Sequence, residues 1–189
     1  MLELKFRTRR IMGWLVVASL LTLPSFATAE DESSSVAPDF TAKGIDGTEY
    51  RLADLLEKGP VFLDFWTTWC KPCQIALPKL AELHGKYADQ GFTLLTVASD
   101  DQRTVSKVKP LIKSRKWTFP VVSDPKRTIG NKYSVRNYPT SYLISQDGKI
   151  HSVHVGYRPG DEKTIEKEIV ALLPQKTDTE AAPVEGGSN

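Results

Sequence analysis

Two cysteines separated by two residues, Cys70-Lys71-Pro72-Cys73, constrain this chain more than any other feature, because of what stands on either side of them. Before them, Val61 to Trp66 reads V-F-L-D-F-W, a short run rich in β-formers that fits a strand buried on both faces. After them, from Pro72 to about Asp89, the apolar residues Ile75, Leu77, Leu80, Leu83 and Tyr87 recur at roughly helical spacing. Pro72 falls in the first helical turn, where a missing N–H does little harm, whereas Pro78 lies inside and predicts a kink. The cysteines therefore stand at the N-terminus of a helix that follows a buried strand.

That position has chemical consequences. The two-residue spacing lets one cysteine sit at the first turn and the other one turn inward on the same face, so a disulfide can open and close with little backbone movement. The first thiol meets unsatisfied N–H groups and the positive helix end, which favour thiolate and mark Cys70 as the nucleophile. Cys73, deeper, would resolve a mixed disulfide by attacking Cys70. Lys71 adds a neighbouring cation, but exposed charge pairs contribute only about 0–1 kcal/mol.

Four other readings of the pair are open at this stage. A structural staple closing so short a loop would constrain the unfolded chain by only about 2 kcal/mol. Zinc needs two more ligands from His84, His151 and His154, and the last two, three apart on an expected strand, point to opposite faces. Copper handling lacks soft partners, since the only methionines are Met1 and Met12. A non-catalytic binding module with an inert bridge is the fourth. No metal or other cofactor is expected.

The compartment follows from the first 29 residues. Lys5, Arg7, Arg9 and Arg10 precede an apolar run of 13 residues, Ile11 to Leu23, and Ala27-Thr28-Ala29 is a small-x-small cleavage site. A spanning helix needs about 20 apolar residues, so a cleaved signal peptide is expected, with an N-terminal membrane anchor as the alternative. Removing that segment takes the formal charge from +2 to −1, because it carries four basic groups against Glu3. Such a balance offers no electrostatic footprint for nucleic acid. The exported chain would keep only Cys70 and Cys73 where disulfides can persist, so it lacks the long-range staples of a small secreted scaffold.

Residues 30–36 are acidic and Ser-rich and are read as a flexible leader, and 174–189, dominated by Gly, Pro, Thr and acidic residues, as a disordered tail. Between them one domain, 37–173, alternates strand and helix, which implies an α/β fold with a parallel core. Asp46-Gly47 suits the turn of an N-terminal hairpin between Asp39–Thr41 and Glu49–Leu52. Phe92 to Ala98 is a second buried strand. It is followed by a mostly basic helix over Arg103 to Lys116, a short strand at Phe119 to Val122, and a helix capped by Asp124 that runs to about Tyr133. Thr140–Ser145 and Lys149–Val155 flank Asp147-Gly148 as an antiparallel hairpin, and Glu162 to Leu173 is a final amphipathic helix stopped by Pro174.

The stretch Asp64-Phe65-Trp66-Thr67-Thr68-Trp69-Cys70-Lys71-Pro72-Cys73, with Pro78 five residues on, resembles the active-site strand and helix of thioredoxins. Ala37-Pro38-Asp39-Phe40 and the Asp46-Gly47 hairpin resemble more closely the exported TlpA/ResA-like branch, over residues 36–173. The resemblance implies a thioredoxin fold, a central mixed sheet flanked by helices with an N-terminal hairpin and an extra helix-strand insertion. It implies a cis-proline at Pro139 facing the cysteines, where backbone groups would pair with an extended substrate, and makes Tyr138 and Trp69, with Lys71 and Pro72, candidates for shaping what fits. Asp64 matches the buried carboxylate of thioredoxins; desolvated on an apolar strand, it would be raised in pKa and could exchange protons with Cys73. The basic partner that thioredoxins place on the next strand is here read as Ser99 or a neighbour. The implied activity is extracytoplasmic thiol-disulfide exchange with protein substrates by a monomer, more as a reductant supplied by a membrane electron donor, for example in cytochrome c maturation. The alternatives are a disulfide oxidase or isomerase of secreted proteins, and a thiol peroxidase of the peroxiredoxin group. Thr67 stands three residues before Cys70 as in that group, but Leu63 occupies the place of its earlier proline.

Overall fold

Central strand β3 (Val61–Trp66) has every residue buried, and the computed structural model, which describes residues 35–174, shows why that run had to be apolar on both faces. Alternation along β3 sends Phe62 and Trp66 into one core, with Leu77 and Leu80 of helix α2 (Lys71–Tyr87) and Ile165 and Ile169 of helix α5 (Glu162–Leu172). Val61, Leu63 and Phe65 enter a second core on the opposite face, with Leu52 and Leu55 of the short helix α1 (Leu52–Leu56). Full burial of each such side chain stabilises the fold by roughly 1.5–3 kcal/mol. Asp64 lies on the first of these faces, beneath α2.

The sheet runs β5-β4-β3-β6-β7, with β4 (Thr93–Ala98) and β5 (Val121–Ser123) parallel to β3, and β6 (Thr140–Ile144) and β7 (Ile150–Val155) antiparallel to one another. β3 pairs antiparallel with β6, so the sheet is mixed as expected. A separate hairpin of β1 (Thr41–Lys43) and β2 (Glu49–Arg51) turns through Gly47 at φ 92° and covers the free edge of β5 by Ile45 N–H donating to Val121 O at 2.9 Å. Among the described residues, the Ser35 carbonyl accepts from the Ile150 N–H at 2.8 Å. The signal reading of 1–29, most of the leader and most of the tail fall outside the described residues.

The insertion after β4 holds a shorter helix than its sequence suggests. Helix α3 spans Val108–Arg115, preceded by one 3-10 turn, because the Asp101 carboxylate takes the N–H groups of Arg103 and Thr104 and folds that stretch into a turn. Helix α4 is likewise reduced, to Thr128–Lys132. Asp124 does cap it, but from a distance: its buried carboxylate accepts from the N–H groups of Thr128 at 2.7 Å and of Ile129 and Gly130 at 2.9 Å. Asp124→Ala leaves three donors without an acceptor and is expected to cost about 2–4 kcal/mol, read as a lowered urea midpoint. A loss under about 1 kcal/mol would mean that water replaces the carboxylate.

Candidate active site

Cys70 occupies the N-cap of α2 in extended conformation, and its Sγ accepts the N–H of Cys73 at 3.2 Å. The two cysteines form a disulfide with their Cα atoms 5.3 Å apart. Cys70 is 6% exposed and Cys73 wholly buried, so a partner can reach only the first sulfur. The positive end of α2 and the Cys73 N–H both favour negative charge on that sulfur once the bridge opens.

The loop that presents Cys70 is held from two sides by residues that the sequence did not single out. Asp100, buried at the end of β4, accepts the N–H of Thr68 at 2.8 Å and its hydroxyl at 2.5 Å. Gln74, one residue past Cys73, donates its amide to the Thr68 carbonyl at 2.7 Å. A sequence signal for Asp100 did exist, an acid placed directly after a buried strand, but only the parallel pairing of β4 with β3 brings it under the loop.

A groove of about 730 Å³ opens beside Cys70, and the expected Trp69, Lys71, Pro72 and Tyr138 all line it. Trp69 is 62% exposed and meets the Tyr138 ring edge to face, with centroids 6.0 Å apart. The peptide bond between Tyr138 and Pro139 is cis, as expected. Pro139 itself is set behind the groove. With Asp64, Ser141 and His154 it lines a second, narrow cavity under α2 and α5.

Asp64 is 1% exposed, and burial pushes its carboxyl up to about 7 against the pull of a hydrogen bond from the Ser141 hydroxyl at 2.6 Å. Its second oxygen has no partner among the described residues. The in-register pairing of β3 with β4 places Thr96, rather than Ser99, level with Asp64, and the Thr96 hydroxyl bonds to Pro120 O. No basic side chain therefore occupies that position on β4. The group that does reach Asp64 comes from the other side, Ser141 on β6, paired in turn with His154 on β7. His154 Nε2 lies 2.9 Å from Glu168 of α5, while His151 faces solvent, so the two strand histidines do point apart.

Residues 34–153 match the model of the AhpC/TSA family. A thiol-disulfide oxidoreductase ResA of Bacillus cereus is 40% identical over 120 residues, which is 64% of this chain and 68% of that protein. ResA of Geobacillus thermodenitrificans is 34% identical over 145 residues, 77% of this chain and 79% of that one. Among solved structures, StoA from Bacillus subtilis matches with a TM-score of 0.60 at 28% identity, covering 70% of this chain and 96% of that one.

Proposed function

This chain belongs to the AhpC/TSA family, and from that premise we propose that it is an extracytoplasmic thiol-disulfide oxidoreductase that reduces disulfides of protein substrates through Cys70 and Cys73. The observation that carries the reading is the cysteine pair itself: one sulfur at the mouth of a groove and the N-cap of a helix, the other buried one turn inward. In the reducing direction Cys70 thiolate attacks a substrate sulfur and expels the other as thiolate. Cys73, giving its proton to Asp64, then attacks Cys70 Sγ, and the substrate leaves as a dithiol once solvent protonates it.

Two features support the reductant direction. The relatives this chain matches over 64% and 77% of its length are thiol-disulfide oxidoreductases named ResA, and the reductant role fits that name. Asp64, on the face of β3 against which α2 packs, opposes negative charge on the reduced pair when it ionises, and so favours passing electrons on. Export by a cleaved signal within residues 1–29, a periplasmic or otherwise extracytoplasmic site, a membrane electron donor, a role in cytochrome c maturation and action as a monomer belong to the same proposal. So do the domain limits 37–173.

Insulin reduction tests the activity. Wild type with a dithiol donor should precipitate the insulin B chain, and Cys70→Ser should match the donor alone; equal behaviour of the two proteins would sink the catalytic reading. Direction is tested by thiol trapping in cells, where the pair should be mostly reduced. A mainly oxidised pair would reverse the assignment.

A further inference from the structure

The groove beside Cys70 is unevenly charged. Lys71, Arg127 and Arg136 line it against a single acid, Asp101, whose carboxylate is engaged by the Arg103 and Thr104 N–H groups. Among the described residues, neither Lys71 nor Arg136 forms an ion pair. Arg127 is fixed in place by donating to the Val135 carbonyl. Outside the groove lining, Arg115 at the end of α3 donates to the Gln74 side chain, in the first turn of the helix that starts at Lys71, at 3.4 Å. In the groove wall the Ser99 hydroxyl is buried without a partner among the described residues.

This distribution discriminates between possible occupants. A basic segment laid here would face three like charges, and a neutral one would desolvate cations without replacing their water. An acidic segment supplies carboxylates to Lys71 and Arg136 and an acceptor to Ser99, while Trp69 and Tyr138 offer apolar contact at one end. We infer that the groove receives an extended segment of a partner protein that carries carboxylates beside its reactive cysteine. The inference rests on the oxidoreductase reading and adds to it the chemical class of the substrate. Arg136 and Lys71 are then the residues that set specificity, and the attraction steers encounter in a salt-dependent way.

Three short peptides test it, each bearing one cysteine in a mixed disulfide with a chromogenic thiol, and differing only in whether Glu, Gln or Lys flanks that cysteine. The rate of reporter release by the reduced protein is divided by the rate with dithiothreitol, which removes differences intrinsic to each peptide. At low salt the Glu peptide should react about tenfold faster than the Lys peptide, with Gln between, and the ratio should shrink towards about twofold at high salt. Arg136→Glu should narrow or invert the ranking. Equal normalised rates for the three peptides in wild type would overturn the inference while leaving the oxidoreductase reading intact. Release from no peptide, or equal release by Cys70→Ser, would instead remove the oxidoreductase reading and the inference with it.

Discussion

Replacing Asp64 with asparagine should stabilise the oxidised protein at about pH 8 by about 2–4 kcal/mol and slow disulfide reduction near neutrality by roughly 10²-fold. The stability effect follows from burial. The folded carboxyl titrates at about 7, against 3.8 for an ordinary aspartate, because ionising it beneath α2 forfeits solvation that one bond from Ser141 does not restore. The folded state thus holds this proton more tightly than the unfolded chain. The favourable contribution is complete below about pH 4, falls as pH rises towards 7, and is absent above it. Three units of difference correspond to about 4 kcal/mol, of which the unpaired asparagine amide cancels a part. Urea denaturation of the oxidised proteins between about pH 4 and pH 9 reads this directly, since the bridged cysteines do not titrate. Wild type should lose stability relative to Asp64→Asn through that window, and a difference between the two that does not change with pH would contradict the assignment. The rate effect has a separate origin, loss of the group that accepts the Cys73 proton. Wild-type rate should climb as Asp64 ionises, and the variant should lack that limb.

Cys73→Ser should turn a transient intermediate into a stable product. With Cys70 at the groove and Cys73 fully buried, the first attack uses only the outer sulfur, and the serine hydroxyl left behind cannot displace a thiolate. A substrate protein should therefore accumulate as a covalent adduct of Cys73→Ser that dithiothreitol releases, and Cys70→Ser should form none. Non-reducing gels distinguish the two, and adducts on Cys70→Ser alone would exchange the roles of the cysteines.

Much of this was legible in the chain itself. The run V-F-L-D-F-W, the helical spacing from Pro72 and the dipeptides Asp46-Gly47 and Asp147-Gly148 are local signals, and local signals survive into the fold because burial on two faces, helical periodicity and positive φ are each imposed within a few residues. Boundaries were less legible where a side chain competes with the helix for backbone N–H groups. Asp101 shortens α3 in that way, and periodicity carries no trace of it.

For the site, the sequence alone determined the two cysteines, their helix N-terminus and the presence of an acid six residues earlier. What only the tertiary structure decided is the company those residues keep. Asp100 holds the Cys70 loop across 32 residues of chain, Ser141 reaches Asp64 across 77, and Arg127 and Arg136 join Lys71 at one groove. These partners come from β4, β6 and the segment before β6, and strand order and register bring them together. Pairing across a sheet depends on every strand between, so no stretch of a few residues encodes it, whereas the cysteine spacing is written in four.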